Sequence, residues 1–139
     1  MIFDLPKRYT MTKIIFTILF GVAFQFVFGQ SELKNDFDQS VGHLKSGNYK
    51  VAVNGFSEVL AKATDEDLKK FCLIYRAFSY NGLDEFDKAI ADLDKAVELD
   101  PDDLATYTDR GKTKGYINDL EGAKKDFLFV LTRDTVGDQ

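Results

Sequence analysis

Residues 83–101 read LDEFDKAIADLDKAVELDP, and this stretch decides the fold class. Ala89, Leu93 and Ala96 are spaced by four and then three positions, which places their side chains on one face of an α-helix. Charged residues fill most of the other positions, and Pro101 stands where a new helix can begin. The stretch therefore predicts an amphipathic helix whose small residues allow a neighbouring helix to approach closely.

Two further stretches repeat the order of a small residue, a large residue and another apolar residue. They consist of Ala52, Phe56 and Val59, and of Ala123, Phe127 and Val130. The alanines that begin the three copies are 37 and 34 residues apart, and near-constant spacing of this kind is typical of helical repeat proteins. The extra residues between the first two copies fall near 63–66, which predicts a longer loop there.

The apolar periodicity predicts helices over residues 33–46, 49–62, 66–81, 85–99, 102–115 and 119–132. Polar residues stand before several of these helices. Asn48, Asp84 and Asn118 are expected to cap the second, fourth and sixth helices, and Glu121 would complete a capping box with Asn118. Asp100 is expected to begin the fifth helix, because a proline follows it.

A period of 34 with this pattern resembles the tetratricopeptide repeat, a helix–turn–helix unit. The middle copy resembles it best, with Leu73 at the large anchor position, Ala77 at the small position and Tyr80 one turn later. The third copy departs at Lys114, where the family prefers tyrosine, and in the first helix of the first copy only Ser40 fits. The resemblance implies an all-α fold of about three repeats, over residues 33–68, 70–103 and 104–133, stacked as a short right-handed superhelix, or α-solenoid.

Residues 1–29 precede the repeats and have the organisation of a secretory signal peptide. Three basic residues come first, namely Lys7, Arg8 and Lys13. An apolar run follows over residues 14–28, and the small residue Gly29 ends it before a polar stretch begins at Gln30. This order predicts cleavage between Gly29 and Gln30. The repeats are then expected to form a domain over residues 30–139 that is exported to the periplasm or the extracellular space.

Other interpretations of residues 14–28 are less favoured. A membrane-spanning helix needs about 20 apolar residues, so the run is short for an uncleaved anchor, which is the alternative. A buried helix of the fold would carry polar residues on one face, and this run does not. Translation from Met11 would leave an otherwise complete signal, and the sequence does not decide between Met1 and Met11. No membrane span is expected after cleavage.

Composition and charge exclude nucleic acid as a partner. The chain carries 18 lysines and arginines against 23 aspartates and glutamates, which gives a formal net charge of −5. A protein that binds nucleic acid uses a basic patch to displace counterions from the phosphates. No such patch is present, so the expected partner is a protein or a peptide.

The sequence contains no catalytic or cofactor-binding constellation. Cys72 is the single cysteine and stands between Phe71 and Leu73, which predicts a small buried residue rather than a reactive thiol. His43 is the single histidine and is expected to pack between helices, because no nucleophile or orienting group accompanies it. The acidic residues between 92 and 103 lack the glycine turn and the bidentate glutamate of a calcium loop. The chain is therefore predicted to bind no metal or cofactor and not to be an enzyme.

The resemblance implies a concave groove, lined by the first helix of each unit, that holds an extended peptide or a helix. The implied groove residues are Phe37, Asp38, Val41, Leu44, Phe71, Tyr75, Phe78, Thr108, Asp109 and Lys112. One subclass of the family clamps the terminal carboxylate of a peptide with lysine, asparagine and arginine. The corresponding positions here hold Phe37, Val41, Tyr75, Ala105 and Asp109, so no clamp is expected and an apolar peptide or helix face fits better. The alternative is that Phe37, Tyr75 and Phe78 pack between units.

The C-terminal edge is a second candidate surface. Residues 127–131 are apolar without interruption, and Phe127 and Val130 are expected to pack inward. Leu128 and Phe129 would then lie beside an open edge that contacts a second copy or a partner protein, unless the tail through Val136 folds back over them. The predicted function is an exported interaction protein, as an adaptor or a subunit of an envelope assembly, and the alternative is a self-associating structural repeat protein.

Overall fold

The computed structural model describes residues 31–134, and this part of the chain contains six α-helices and no strand. Residues 31–45 are helical and form α1. The other helices are α2 (Tyr49–Lys62), α3 (Glu66–Asn81), α4 (Phe86–Leu99), α5 (Leu104–Tyr116) and α6 (Leu120–Asp134). The predicted bounds agree with these to within two residues, and the all-α prediction is confirmed.

The chain divides into two units, Met1–Asn35 and Asp36–Gln139. Only residues 31–35 of the first unit are described, and they are helical. The predicted signal peptide, its cleavage site and Val136 lie outside the described residues. Within residues 31–134, none of the helices has the length and apolar character that crossing a membrane requires.

Helices α2 to α6 pack in chain order, each against the next. The centre of the core lies between α3 and α4, where a cluster of buried apolar side chains consists of Leu73, Ile74, Ala77, Ala89, Leu93 and Ala96. Ala77 and Ala89 have no exposed surface, and their small side chains let the two helices approach closely. The predicted pattern of small and large residues is therefore confirmed in the middle repeat.

The first helices of successive repeats are also neighbours. The ring of Phe37 in α1 lies 5.5 Å from that of Tyr75 in α3, centroid to centroid. The side-chain amide of Asn81 at the end of α3 donates to the Thr113 hydroxyl of α5 at 2.9 Å. Side chains of the first helices therefore connect successive repeats, as expected for stacked helix–turn–helix units.

The turns inside the three repeats share one unusual backbone conformation. Gly47, Asp84 and Asn118 have φ angles of +75°, +58° and +61°, and they occupy the same position of the repeat. Glycine adopts this left-handed conformation without strain, and aspartate and asparagine tolerate it better than other residues do. The capping roles predicted for Asp84 and Asn118 are therefore wrong, because each residue belongs to the turn that precedes the cap.

The carboxylates that cap helices stand at other positions. Asp119 accepts from the backbone N–H of Gly122 at 2.9 Å, so the predicted box between Asn118 and Glu121 does not form. Asp103, not Asp100, caps α5 by accepting from Ala105 at 3.1 Å. Asp100 instead accepts from the Lys70 amine at 2.6 Å.

Asn48 and Asp65 differ in how they serve as caps. Asn48 stands at the N-cap position of α2 but makes no capping hydrogen bond with its side chain. Asp65 accepts from the backbone N–H of Leu68 at 2.8 Å and caps α3. It lies in the loop between α2 and α3, where the extra residues of the first repeat were predicted.

The single cysteine and the single histidine have different environments. Cys72 is fully buried, and this burial raises the pKa of its thiol to about 11, so it is a packing residue. His43 was expected to pack between helices, and this prediction is wrong because its side chain is exposed. It lines a shallow depression beside polar residues of α1 and α2 such as Asn54 and Glu58.

Candidate partner-binding surfaces

Three aromatic side chains line one face of α3. Phe71, Tyr75 and Phe78 are spaced by four and three residues, which places them along a single stripe of the helix. Phe71 is 46% exposed, whereas Tyr75 and Phe78 are half-buried with ring centroids 5.9 Å apart. Tyr75 packs on Phe37 and Phe56 and Phe78 packs against the core cluster. Phe71 is therefore the most open of the three rings.

The aromatic residue predicted for the groove in α1 packs between helices instead. The Phe37 ring is 5.5 Å from that of Phe56, in an edge-on arrangement, and equally distant from that of Tyr75. Phe56 has no exposed surface. Phe37 thus packs α1 against α2 and α3, and Tyr75, which is also predicted to line the groove, shares this packing role.

The rest of the predicted groove in α1 is of mixed character. Asp38 is exposed, and Val41 and Leu44 are half-buried one and two turns later. This part of α1 therefore carries partly open apolar side chains with one exposed carboxylate beside them.

The part of the predicted groove that α5 contributes is polar. The Thr108 hydroxyl donates to the backbone carbonyl of Leu104 at 3.0 Å. The Lys112 amine lies 3.2 Å from an Asp109 carboxylate oxygen. Since Lys112 is already paired, this helix adds no uncompensated charge to the groove.

A second lysine near the groove is paired as well. The Lys70 amine lies 5.4 Å from the centroid of the Phe71 ring, 2.6 Å from Asp100 and 3.9 Å from Asp103. The hydrogen bond with Asp100 raises the pKa of Lys70 and lowers that of Asp100. Lys70 is therefore already paired with carboxylates of this chain and is not free to bind the carboxylate of a peptide.

Large apolar side chains remain exposed at the C-terminal edge. Their exposed fractions range from 39% to 67%, and the residues are Tyr116, Ile117, Leu120, Phe127, Leu128 and Leu131. Four of them belong to α6, and the other two stand at the end of α5 and in the turn that follows. Exposed apolar side chains are thus concentrated at this edge of the described part of the chain.

The sequence predicts that both Leu128 and Phe129 lie at this edge, but the structure exposes only one of them. Leu128 is exposed, but the Phe129 ring stacks on Tyr107 at 4.2 Å between centroids and is half-buried. Phe127 touches Gly111 of α5 and yet stays 39% exposed. Phe127, which was expected to pack inward, therefore joins Leu128 on the edge, while Phe129 holds α6 against α5.

Solved proteins share this arrangement of paired helices. A MamA chain from Desulfovibrio magneticus RS-1 matches with a TM-score of 0.67 and 24% identity, over 75% of this chain and 57% of that one. The second TPR of Spaghetti (RPAP3), solved with the HSP90 peptide SRMEEVD, matches with a TM-score of 0.65 and 25% identity, over 72% and 90%. This chain has the tetratricopeptide-repeat fold. The Hsp90 co-chaperone Cns1 from Saccharomyces cerevisiae matches with a TM-score of 0.68 and 24% identity, over 73% and 33%.

The extent of these similarities is limited. The tetratricopeptide array described here spans 58% and 57% of the two MamA chains that it matches. No protein-family model matches the sequence, and no curated protein matches it.

Buried ion pairs recur at the period of the tetratricopeptide array. Arg76 of α3 donates from Nε and Nη2 to Asp92 of α4, both at 2.7 Å. One period later, Arg110 of α5 donates from Nη2 and Nε to Asp126 of α6 at 2.6 and 3.0 Å. Both carboxylates are buried, and paired hydrogen bonds between guanidinium and carboxylate are among the strongest in proteins. Sequence reasoning missed these pairs, although their recurrence after 34 residues was an available signal.

Each arginine also reaches the second helix of the preceding repeat. Arg76 donates from Nη1 to the Ser57 hydroxyl of α2 at 2.9 Å. Arg110 donates from Nη1 to Asp94 of α4 at 2.7 Å. One guanidinium therefore joins three consecutive helices at each junction between repeats.

The last repeat adds a second cation to its buried carboxylate. The Lys114 amine lies 2.9 Å from Asp126, at the position where the family prefers tyrosine and the middle repeat has Tyr80. Burial alone would raise the pKa of Asp126, but the hydrogen bonds and positive charges of Arg110 and Lys114 outweigh it and leave that pKa below its ordinary value. Asp126 is therefore held ionised between two cations.

The first repeat has no such pair. The positions that correspond to Arg76 and Asp92 hold Gln39 and Gly55. Gly55 lies so close to Ser40 of α1 that an added Cβ would clash with the serine side chain. Among the described residues no group of three or more His, Cys, Asp or Glu side chains is arranged to hold a metal ion.

Proposed function

We propose that this chain is an exported interaction protein that binds an apolar peptide or helix face along its first helices. The observation that carries the proposal is the half-exposed ring of Phe71, which lies on the same face of α3 as Tyr75 and Phe78. A large, partly open aromatic side chain on rigid helices is typical of residues that dominate binding energy in protein interfaces.

The charges of the groove support an apolar partner over an acidic one. The RPAP3 neighbour is bound to a peptide that ends in acidic and apolar residues, SRMEEVD. The clamp positions of this chain contain no basic residue. The two nearby lysines, Lys70 and Lys112, already pair with Asp100 and Asp109. A peptide carboxylate would therefore have to compete for cations that are in use.

A library of random peptides displayed on phage would test the groove. Peptides selected by the protein are expected to be rich in apolar residues, and Phe71→Asp should weaken their binding at least about tenfold, since interface anchors contribute more than 1.4 kcal/mol. The matched control is Val51→Asp, because Val51 is 49% exposed on α2 and lies outside the predicted groove. Tight binding of the probe peptide SRMEEVD, or affinities that Phe71→Asp leaves unchanged, would contradict the proposal.

Export is the second part of the proposal, and the basic flank, apolar run and Gly29-Gln30 junction support it. The protein isolated from its native host is expected to begin near Gln30 by mass spectrometry. An intact N-terminus on a cytoplasmic protein would be incompatible with export. Purification from the native envelope would then show whether the chain serves as an adaptor or subunit of a larger assembly.

A further inference from the structure

The first residue of a second helix packs on the end of the first helix of the next repeat. Tyr49 of α2 rests against Gly82 at the end of α3, where an added Cβ would meet the tyrosine ring. One repeat later, Phe86 of α4 lies 5.2 Å from the Tyr116 ring at the end of α5. The residue at the same register in α6 is Leu120, and it is 64% exposed.

Two further residues of α6 are also exposed although their counterparts in earlier repeats are packed. Phe56 and Leu93 are fully buried in α2 and α4, whereas their counterpart Phe127 is 39% exposed. Leu60 of α2 packs on the core cluster, whereas its counterpart Leu131 is 59% exposed. At these three positions α6 thus displays apolar side chains on the face with which α2 and α4 contact the next repeat.

The residue at one position of α6 indicates that this face is not covered by another repeat of the same kind. Ser57 and Asp94 accept hydrogen bonds from the arginine of the following repeat. The corresponding residue of α6 is Leu128, which would leave such an arginine without its acceptor. The occupant should therefore be apolar at this point.

The opposite end of the array does not complement this face. The depression between α1 and α2 is lined with Gln39, His43, Asn54 and Glu58 among other residues, and all four side chains are exposed. Head-to-tail stacking of two copies would bury these polar groups against leucine and phenylalanine, which costs free energy when no hydrogen bonds replace those to water.

We propose that the α6 face is a contact between two copies of this chain, packed antiparallel about a two-fold axis. Leu120, Lys124, Phe127 and Leu131 recur at intervals of four, three and four residues, which forms a straight seam along the helix. The intervals are the same when the seam is read from either end, although the two inner residues differ. An antiparallel pair therefore places Leu120 against Leu131 of the second copy, and Lys124 over the Phe127 ring of the second copy.

The position of Lys124 selects this orientation over a parallel one. In an antiparallel pair its amine lies over an aromatic ring, a favourable contact for a cation, while its aliphatic stem covers apolar surface. In a parallel pair the two Lys124 side chains would face each other and repel. The same patch then serves both copies, as in most soluble dimers.

Cysteine cross-linking of the full chain tests the register. Leu120→Cys and Leu131→Cys lie 11 residues apart on α6, or about 16 Å at 1.5 Å per residue, and a disulfide needs Cα atoms within about 7 Å. A mixture of the two single variants should therefore cross-link, whereas each variant alone should not. The native Cys72 is buried and does not interfere. Cross-linking of Leu120→Cys with itself, or of neither the mixture nor the single variants, would overturn the proposal.

Light scattering of the full chain tests the association itself. A dimer is expected, and Leu120→Lys with Leu131→Lys should weaken it at least about tenfold while the helix content by circular dichroism stays unchanged. Val51→Lys is the matched control, since it makes the same change on a different exposed face. The groove variant Phe71→Asp should also leave the dimer intact, so failure of this proposal can be told apart from failure of the groove. A monomeric parent, or a dimer that the double variant leaves unaltered, would overturn it.

Discussion

Replacing Asp126 with alanine should lower the free energy of unfolding by about 3–5 kcal/mol, the usual cost of removing one partner of a buried ion pair. Asp126 is 1% exposed and accepts from both Arg110 and Lys114. Without it, the largely buried Lys114 loses its carboxylate partner and Arg110 keeps only the half-exposed Asp94. Urea denaturation followed by circular dichroism measures the loss.

Asp94 supplies a control for this change on the same arginine. It lies 2.7 Å from Arg110, but its side chain is half exposed to water. Because exposed ion pairs contribute about 0–1 kcal/mol, Asp94→Ala should have a small effect. Equal losses for the two variants would show that burial of Asp126 is not what makes its pair important.

Replacing Phe56 with alanine should cost about 3–5 kcal/mol, because a fully buried ring is lost and a cavity remains. Phe56 contacts Phe37 of α1 and Tyr75 of α3, so the change loosens both repeats that meet there. Repeats depend on their neighbours for stability, and the melting temperature of the whole array should therefore fall.

Phe71→Ala is the matched control, since it removes the same ring from a half-exposed site. Substitutions at such sites usually change stability by about 0.5 kcal/mol or less. Thermal melting by circular dichroism compares the two variants. If Phe71→Ala destabilised the protein as much as Phe56→Ala, the Phe71 ring would be part of the core and not of a binding surface.

The helices and the core were predictable because their signals are local. The apolar face of a helix can be recognised within about a dozen residues, as Ala89, Leu93 and Ala96 show. The recurrence of that face along the chain predicted the stacked repeats. The positive φ angles of Asp84 and Asn118 were not predictable in the same way. Aspartate and asparagine favour both helix caps and left-handed turns, so residue type alone could not separate the two roles.

The candidate surfaces were predictable only in part, because exposure depends on residues far apart in the chain. The apolar run of residues 127–131 indicated an open edge, but the contact of Phe129 with Tyr107 depends on how α6 rotates against α5. Likewise, Phe37 reads as a groove residue on α1 alone and becomes a packing residue only when α2 and α3 are in place. The pairing of Arg76 with Asp92 joins separate helices, so its signal in the sequence is the recurrence of both residue types 34 positions later and not a local pattern.

The absence of an arginine–aspartate pair at Gln39 and Gly55 has a consequence for how the array moves. In a linear stack, local opening starts where the fewest bonds tie a unit to its neighbours. Helices α1 and α2 are joined by ring contacts and by the close approach at Gly55, whereas the later repeats also have guanidinium groups that each hold three helices. Local stability should therefore differ along the array. Backbone amides should exchange with solvent fastest in the first repeat and slowest in α3 and α4.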